Sequence, residues 1–300
     1  MKILLLGSQG QLGIQLRRSL ALLGEVVALH RTSDPCGDLA QPDALAATVR
    51  AVRPQVIVNA AAYTAVDKAE TERDTAFAIN ATACEVLARE AAQLGAWLVH
   101  YSTDYVFAGD GTTPWRETDP TGPVNLYGAS KLEGERAITR GTPRHLVFRC
   151  SWVFDTCGQN FLKSILRAAM NKDALDIVSD QWGAPTRAAL IADVTAHALA
   201  RLRDDNAGVY HLAPAGETNW HAYASLAVAH AIDCGMNLRT QPGAIHAIAA
   251  SQYPVPARRP ANSRLDTSKL RAVYGLQMPP WQDGVRAVVA ELAAGRALGA

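Results

Sequence analysis

The chain has 300 residues, of which 49% are hydrophobic and 19% are charged, and its formal net charge is +1. This length and composition are typical of a packed globular protein, either one large α/β domain or a nucleotide-binding domain with a smaller substrate domain, and they exclude intrinsic disorder. Because the charge is nearly balanced and the basic residues are dispersed, we expect neither nucleic acid nor a membrane surface as a partner.

Cysteine usage and the first residues of the chain indicate its compartment. The five cysteines are an odd number and contain no C-x-x-C pair, which argues against a disulfide framework or zinc ribbon and favours reduced thiols. The apolar run that begins at Met1 stops at Gly7, so we interpret it as a buried strand and not as a signal peptide. No stretch of sequence approaches the roughly eighteen apolar residues of a membrane span. We therefore expect a cytoplasmic protein.

The first half of the chain alternates between strand and helix patterns. Leucines at helical spacing from Leu12 to Leu23 predict a helix after the first strand. Strands are predicted at residues 3–6, 26–29, 55–59, 97–101 and 146–148, and further helices at 42–52 and 75–94. This alternation predicts an α/β fold with a Rossmann-type, doubly wound parallel sheet. Residues 1–150 are interpreted as a dinucleotide-binding domain.

The second half of the chain has a weaker alternation, interrupted by turn-forming clusters. Helices are predicted at residues 161–170, 188–203, 220–232 and 281–294. We interpret residues 151–300 as mainly a smaller, mixed α/β substrate-binding domain, with some segments returning to the main sheet.

A glycine-rich segment, Gly7-Ser-Gln-Gly10-Gln11-Leu12-Gly13, lies between the first strand and the first helix. Glycines at this place allow the backbone to approach a pyrophosphate, and the start of the helix supplies N–H groups and a partial positive charge. The spacing is not the commoner G-x-G-x-x-G, and an ordinary tight turn is the alternative. Its position in the βαβ pattern favours dinucleotide binding.

The end of the second strand bears on the choice of coenzyme. It reads His30-Arg31, without the acidic residue that binds the ribose 2′-hydroxyl of NAD, and leaves Asp34 and Asp38 as candidates to hold the adenosine. Arg31 is interpreted as a partner for a 2′-phosphate, the alternative being a solvated surface arginine. We expect NADPH to be preferred and NADH to remain usable.

Tyr127 and Lys131 stand at i and i+4, on one face of a predicted helix. A lysine ammonium beside a phenol is expected to lower the phenol pKa, so that Tyr127 exchanges a proton with a substrate oxygen. The fourth strand ends at Ser102-Thr103-Asp104, which places the Thr103 hydroxyl where α/β folds bind ligands. A surface pair for Tyr127 and Lys131, and a turn residue for Thr103, are the alternatives.

These motifs belong to a longer series of segments that runs through nearly the whole chain. The series is Gly7-x-x-Gly-Gln-Leu-Gly13, Cys36-Gly-Asp-Leu39, Asn59-Ala-Ala-Ala-Tyr-Thr-Ala-Val-Asp-Lys-Ala-Glu70, Ser102-Thr-Asp-Tyr-Val-Phe107, Tyr127-x-x-x-Lys131, Arg149-Cys-Ser-Trp-Val153, Asp180-Gln-x-Gly-x-Pro-Thr186 and Arg258-Arg-Pro-x-Asn-Ser263. In this series the chain resembles the extended short-chain dehydrogenases/reductases and, among them, the dTDP-4-dehydrorhamnose reductases.

The resemblance implies an activity and the residues that carry it. The reaction is reduction of the C4 keto group of dTDP-4-dehydro-6-deoxy-L-mannose (dTDP-4-dehydro-L-rhamnose) by NADPH or NADH, which gives dTDP-L-rhamnose. Tyr127 is the implied proton donor, Lys131 holds the nicotinamide ribose and tunes Tyr127, and Thr103 completes the triad. The implied coenzyme contacts are Gly10, Gln11 and Leu12 at the pyrophosphate, Asp38 and Leu39 beside the adenine, and Ala62, Tyr63 and Thr64 along the groove. The implied sugar contacts are Thr103, Asp104 and Trp152, although Trp152 by itself is also typical of core packing.

Arg258 and Arg259 lie in a proline-rich loop. We expect one of them to bind the substrate diphosphate through charge-assisted hydrogen bonds. A purely solubilising surface role is the alternative.

The sequence departs from the family pattern at several positions. His30 replaces an acidic residue found in some relatives. Gln15 and Ala189 stand where some relatives have glutamates that hold a divalent ion between two subunits, so we expect no metal and either a monomer or a homodimer. A nucleotide-sugar dehydratase is an alternative, but Tyr105 follows Asp104 where dehydratases have glutamate. A nucleotide-sugar epimerase and a non-catalytic subunit like that of methionine adenosyltransferase are the remaining alternatives.

Overall fold

The structure is a computed structural model that describes residues 1–295. The first half contains, in chain order, β1 (Lys2–Leu6), α1 (Gln11–Leu20), β2 (Glu25–Leu29), α2 (Pro42–Val52), β3 (Val56–Asn59), α3 (Val66–Ala69), α4 (Arg73–Phe77), α5 (Ala83–Leu94), β4 (Trp97–Thr103), α6 (Leu126–Gly141) and β5 (His145–Cys150). The second half contains β6 (Val153–Phe154), α7 (Phe161–Asn171), β7 (Leu175–Val178), β8 (Trp182–Gly183), β9 (Thr186–Arg187), α8 (Ala188–Leu199), β10 (Gly208–His211), β11 (Thr218–Asn219), α9 (Trp220–Asp233), β12 (Ile245–Ile248), α10 (Ser268–Tyr274) and α11 (Trp281–Ala293).

Six strands form the central sheet in the order β10-β5-β4-β3-β1-β2, and all of its neighbours are parallel. At the end of β1, Leu6 lies opposite Leu29 of β2 on one side and Asn59 of β3 on the other. The chain therefore goes from β1 to β2 on one side of β1, and then crosses back to form β3 on the other side. Such a reversal opens a crevice at the carboxyl ends of the strands, where doubly wound folds bind ligands.

Two layers of helices explain why β1 is apolar at every position from Ile3 to Leu6. Ile3 and Leu5 belong to the core that includes Leu16 of α1. Leu4 and Leu6 face the opposite core, which is formed by α2 and α5. Full burial of a leucine or isoleucine contributes about 1.5–3 kcal/mol, so the continuous apolar run of this strand accounts for its place inside the sheet, covered on both faces.

The second half of the chain has a core of its own and also extends the central sheet. Helices α7, α9 and α11 pack around a third apolar cluster that includes Phe154, Tyr223 and Trp281. Strand β10 pairs with β5, and α8 packs on α1. Segments of the second half therefore belong to the main sheet as well as to the smaller core.

The predicted α/β fold class is confirmed, and all five predicted strands of the first half are present. Strand β4 is longer than predicted, because it continues to Thr103. The helix predicted over 75–94 is divided into α4, a turn of π-helix from Ala78 to Thr82, and α5. The predicted helix 188–203 ends at Leu199. Among residues 1–295, no helix has the length and apolar character needed to cross a membrane.

Candidate active site

The glycine-rich loop connects β1 to α1 at the crevice. Gly7 has a φ of +78°, and a Cβ added there would lie 2.6 Å from the backbone nitrogen of Ala61. A Cβ on Gly13 would overlap the carbonyl of Gly7. Gly10 precedes α1 at the N-cap position and provides no side-chain cap, so the first N–H groups of the helix are available to an anion. The glycines therefore allow the tight turn and the close packing of the loop against the backbone after β3, and the free N–H groups at the start of α1 are suited to a pyrophosphate.

Gln11 links this loop to the second half of the chain. Its Oε1 accepts a hydrogen bond of 2.8 Å from Asn160 Nδ2, and its Nε2 donates to the carbonyl of Gln159 at 3.3 Å. The neighbouring Leu12 is half-buried and packs on the core below the sheet. The side chains of both predicted pyrophosphate contacts are therefore engaged elsewhere, which leaves their main-chain N–H groups for the coenzyme.

The predicted adenosine-binding residues lie on turns near the surface. The Nδ1 atom of His30 lies 3.2 Å from the Thr32 hydroxyl, and Asp38 accepts a hydrogen bond of 3.0 Å from the backbone N–H of Ala40. Leu39 is buried, whereas Arg31 and Asp34 are exposed. Within residues 1–295, no salt bridge involves Arg31.

The segment Ala62-Tyr63-Thr64 follows β3 along the same crevice. Asn80, in the π-helical turn, accepts from the backbone N–H of Tyr63 at 2.9 Å and donates to its carbonyl at 3.0 Å. It also donates to Ser130 Oγ at 3.0 Å, and Ser130 in turn donates to the Tyr127 carbonyl at 2.7 Å. The π-helical turn therefore positions the groove segment against the helix that carries Tyr127.

Helix α6 carries both Tyr127 and Lys131. Asn125 caps its start by accepting from Gly128 N–H at 2.8 Å, and Glu70 accepts from the Leu126 N–H at 2.8 Å. Lys131 is 2% exposed. Its Nζ donates to the Tyr101 carbonyl at 2.7 Å and lies 3.0 Å from Nε2 of His100.

Thr103 and Asp104 lie at the carboxyl end of β4, beside Tyr127. The Thr103 hydroxyl donates to Asp104 Oδ1 at 3.0 Å and accepts from the Tyr105 N–H at 3.2 Å. The rings of Tyr105 and Tyr127 make an edge contact with centroids 5.7 Å apart. The structure therefore brings together the three residues predicted as catalytic with Asp104 and an unpredicted aromatic neighbour.

Burial dominates the electrostatics of this end of the groove. It raises the pKa of Asp104 to about 7, against hydrogen bonds from Ser263 and Thr103 that lower it. Burial and, to a smaller extent, the Asp104 charge raise the pKa of Tyr127, while hydrogen bonding with Thr103 lowers it. The expected lowering of the phenol pKa is not found in this structure, where burial raises the pKa of Tyr127 and the Lys131 amine is hydrogen bonded to the Tyr101 carbonyl.

The predicted sugar contact Trp152 follows β5, the strand that pairs with β4. It has a φ of +48° and stacks on Trp220 with ring centroids 3.6 Å apart. A Cβ on Gly183 would lie 2.9 Å from the Trp152 ring, so the glycine leaves the space for it. Trp152 is half-buried, and it packs against an aromatic cluster without being enclosed in the core.

The proline-rich loop reaches the start of the catalytic helix. The Arg258 carbonyl accepts a hydrogen bond of 2.8 Å from Asn125 Nδ2, while the Arg258 side chain is exposed. Arg259 forms a salt bridge of 2.8 Å with Asp67, and its charge partly opposes the burial that raises the pKa of the Tyr105 phenol. Both arginines therefore lie near the catalytic end, but Arg259 already has a carboxylate partner.

Several residues of the site were not predicted from the sequence. They are His100, which contacts Lys131, and Asn59, which contacts His100. Asn80 is hydrogen bonded to Tyr63 of the groove segment, and Asn125 caps the catalytic helix. A histidine within the apolar strand β4 and an asparagine within a helical pattern were the available signals, because buried polar residues need partners.

In the described part of the chain, no group of three or more His, Cys, Asp or Glu side chains could hold a metal. The expectation that no divalent ion is held between two subunits at Gln15 and Ala189 stays a prediction.

Comparison with known proteins agrees with this geometry. Residues 1–294 match the family model described as RmlD substrate binding domain. The dTDP-4-dehydrorhamnose reductase of Shigella flexneri is 49% identical over 97% of this chain and 98% of its own length. The Escherichia coli K12 enzyme of the same name is 48% identical with the same coverage.

Solved structures give the same result. The Bacillus anthracis dTDP-4-dehydrorhamnose reductase, crystallised with NADP, is 30% identical with a TM-score of 0.87 and covers 97% of this chain and 99% of its own. The Clostridium acetobutylicum enzyme has a TM-score of 0.89 at 30% identity with the same coverage. The chain therefore belongs to the dTDP-4-dehydrorhamnose reductase family of NAD(P)H-dependent oxidoreductases.

Proposed function

We propose that this chain reduces the C4 carbonyl of dTDP-4-dehydro-6-deoxy-L-mannose to give dTDP-L-rhamnose, with NADPH preferred over NADH. The observation that carries the proposal is the meeting of Tyr127, Lys131 and Thr103 at the carboxyl end of β4, across the crevice from the glycine-rich loop. The relatives named above add the identity of the sugar nucleotide.

The coenzyme fits the crevice between β1, β3 and β4, and when bound it supplies the hydride for the C4 carbon. The main chain of Gly7, Gly10, Gln11 and Leu12 would hold its pyrophosphate. Its adenosine end would lie against His30, Arg31, Asp38 and Leu39, and its other half along Ala62, Tyr63 and Thr64. Support comes from the uncapped start of α1 beside the tight glycine turn, and from the relative crystallised with NADP.

The protein supplies the proton and the orientation. Tyr127 donates its phenol proton to the C4 oxygen as negative charge develops there. A raised phenol pKa suits this role, since the group must carry its proton before the hydride arrives. Thr103 hydrogen-bonds the same oxygen, and Lys131 holds the nicotinamide ribose.

The substrate is held mainly by the second half of the chain. Asp104 and Trp152 contact the sugar, and Arg258 or Arg259 binds the diphosphate. On this proposal residues 1–150 form the dinucleotide-binding domain and residues 151–300 mainly the substrate-binding domain. The enzyme acts in the cytoplasm as a monomer or homodimer, without nucleic acid and without a bridging metal.

The site residues disfavour two of the alternatives, the dehydratase and the binding subunit. A dehydratase needs a carboxylate after Asp104, and Tyr105 stands there. A binding subunit needs no proton donor, whereas Tyr127 is held at the end of β4 with its partners in place.

The test is to incubate the protein with NADPH and enzymatically made dTDP-4-dehydro-L-rhamnose, to follow the loss of NADPH absorbance, and to identify the product sugar by NMR. The expected product is dTDP-L-rhamnose, with no turnover when the sugar nucleotide is left out. Absence of NADPH oxidation by a folded preparation that binds NADPH would overturn the proposal.

A further inference from the structure

Asn160 lies at the start of α7, in the second half of the chain, and its side chain makes three hydrogen bonds. Its Oδ1 atom accepts from the Lys163 N–H at 3.0 Å and so caps the helix. Its Nδ2 atom donates to the Asp155 carbonyl at 2.7 Å and to Gln11 Oε1 at 2.8 Å. Because a backbone N–H can only donate, the contact with Lys163 identifies the amide oxygen, and the amide nitrogen faces Gln11. Both protons of Nδ2 therefore have acceptors.

Gln11 is the first residue of α1, where the proposed function places the pyrophosphate of the coenzyme. Its Nε2 atom donates to the Gln159 carbonyl at 3.3 Å. The stem of the side chain lies against Gly158, since a Cβ on that glycine would be 2.6 Å from Gln11 Cγ. Gly10 gives the main-chain N–H groups of the same turn no side-chain cap. The turn that faces the pyrophosphate is therefore attached to the second half by the Gln11 side chain.

The loop that carries Asn160 is itself fixed to α8. The Asp155 side chain is fully buried, and its carboxylate accepts from the Ala189 N–H at 3.1 Å, in the first turn of that helix. The Arg187 guanidinium lies 3.7 Å from the same carboxylate. Helix α8 packs in turn on α1. The loop of residues 155–160 therefore has a firm support, from which Asn160 can hold its partner in one place.

We propose that Asn160 is a positioning residue for the coenzyme, which holds Gln11, and with it the first turn of α1, in the arrangement that presents main-chain N–H groups to the pyrophosphate. A helix start binds an anion through the direction of its N–H groups, and a turn that is already ordered loses less freedom on binding. The dinucleotide site of residues 1–150 is thus completed by a side chain of the second half. This inference rests on the proposed function for the identity of the coenzyme.

The test compares Asn160→Ser with the wild type, both as full-length protein. Serine is a favoured N-cap residue and still caps α7, but it lacks the amide group that donates to Gln11. We expect the NADPH dissociation constant, measured by NADPH fluorescence without any sugar nucleotide, to rise by roughly three- to tenfold, the range that one neutral hydrogen bond provides. In the protein without coenzyme, NMR should show faster hydrogen exchange of the Ile14 amide, which donates to the Gly10 carbonyl at 3.0 Å.

The matched control is Asn219→Ser, because Asn219 caps α9 in the same way, by accepting from the Ala222 N–H at 2.8 Å. It should leave the NADPH dissociation constant and the Ile14 exchange rate unchanged. Gln11→Met keeps the length of the side chain without its hydrogen bonds, and it should weaken NADPH binding as much as Asn160→Ser does. The double variant should bind NADPH no more weakly than either single variant, since the two residues act through one contact.

An unchanged NADPH dissociation constant in Asn160→Ser, or an equal rise in Asn219→Ser, would overturn the inference. Additive effects in the double variant would overturn it as well, because they would show that the two residues act separately. If Asn160→Ser does not fold, Gln11→Met decides the question, since it leaves the cap of α7 in place. The expected affinities in a protein that does not reduce the sugar nucleotide would overturn the proposed function and support the role of Asn160.

Discussion

The two ends of the proposed coenzyme groove differ in how far the protein encloses their functional groups. At the catalytic end Lys131, Thr103 and Asp104 are 2%, 6% and 2% exposed, and each is hydrogen bonded to another buried group. At the adenosine end Arg31 is exposed and Asp38 bonds only within its own turn. Charges interact strongly when buried and weakly when solvated. We therefore expect substitutions at the first end to change the rate and its pH dependence, and those at the second to adjust affinity.

The largest expected effect is at Tyr127. In Tyr127→Phe only the hydroxyl is removed, so the protein should fold and bind coenzyme normally while kcat falls by about 10²- to 10⁴-fold, the usual value of general acid catalysis. Turnover at saturating substrate, coenzyme affinity by fluorescence and far-UV circular dichroism are the measurements. A variant that retains more than about a tenth of the wild-type kcat would show that another group supplies the proton.

The next effect concerns stability and pH. Because burial raises the folded-state pKa of Asp104 to about 7, well above the ordinary value of an aspartate, the folded protein holds this proton more tightly than the unfolded chain. The free energy of unfolding should therefore fall as the pH rises from about 4 to about 7, by an amount on the order of 4 kcal/mol. Above that range Asp104 should contribute no further change.

The control for this prediction is Asp104→Asn, which cannot titrate. Urea unfolding of both proteins between pH 4 and pH 8 isolates the carboxyl, because other groups contribute equally to the two curves. Parallel curves would mean that Asp104 is ionised throughout and that burial does not raise its pKa. A pH dependence of the opposite sign, with the wild type gaining stability relative to the variant as the pH rises, would contradict it as well.

The effects expected at Arg258 and Arg259 are smaller than those at the catalytic end and larger than the effect on coenzyme choice. Replacing each with alanine should raise the substrate KM by roughly tenfold, because a charge-assisted hydrogen bond to the diphosphate is lost, and should leave the coenzyme KM almost unchanged. Asp67→Asn is the matched control for Arg259, since it breaks the same salt bridge and keeps the arginine. Unchanged substrate KM in both alanine variants would exclude this loop as the diphosphate site.

Much of the fold could be predicted because it depends on patterns within short stretches of sequence. The continuous apolar run of β1 requires burial on both faces, and the leucines at helical spacing after Gly10 require a helix that covers one of them. The break between α4 and α5 could not be predicted in this way. At this break Asn80 accepts from the Tyr63 N–H and donates to the Tyr63 carbonyl. The two residues are 17 positions apart and become neighbours only in the folded chain.

The same distinction holds for the site. Tyr127 and Lys131 share a helix, so their common face follows from spacing alone. What surrounds Lys131 comes from β3 and β4, and these distant contacts direct the lysine to His100 and Tyr101 and leave burial to set the phenol pKa. Local sequence therefore predicted which residues would act, and tertiary contacts set the burial and hydrogen bonding around them.

Coenzyme choice should be the smallest effect, because it depends on the exposed end of the groove. An acidic residue after β2 would bind the ribose 2′-hydroxyl and repel a 2′-phosphate, and His30-Arg31 provides neither interaction. Arg31 is exposed, so its attraction to a 2′-phosphate is screened by solvent and salt. We therefore expect NADPH to be preferred by roughly tenfold in kcat/KM, the ratio that one well-placed charge-assisted hydrogen bond provides. Arg31→Ala should remove the preference by raising the KM for NADPH, with NADH almost unaffected. The measurement is kcat/KM with both coenzymes for both proteins, at two ionic strengths. A wild-type preference for NADH, or a preference that survives in Arg31→Ala, would show that the 2′-phosphate is recognised elsewhere or not at all.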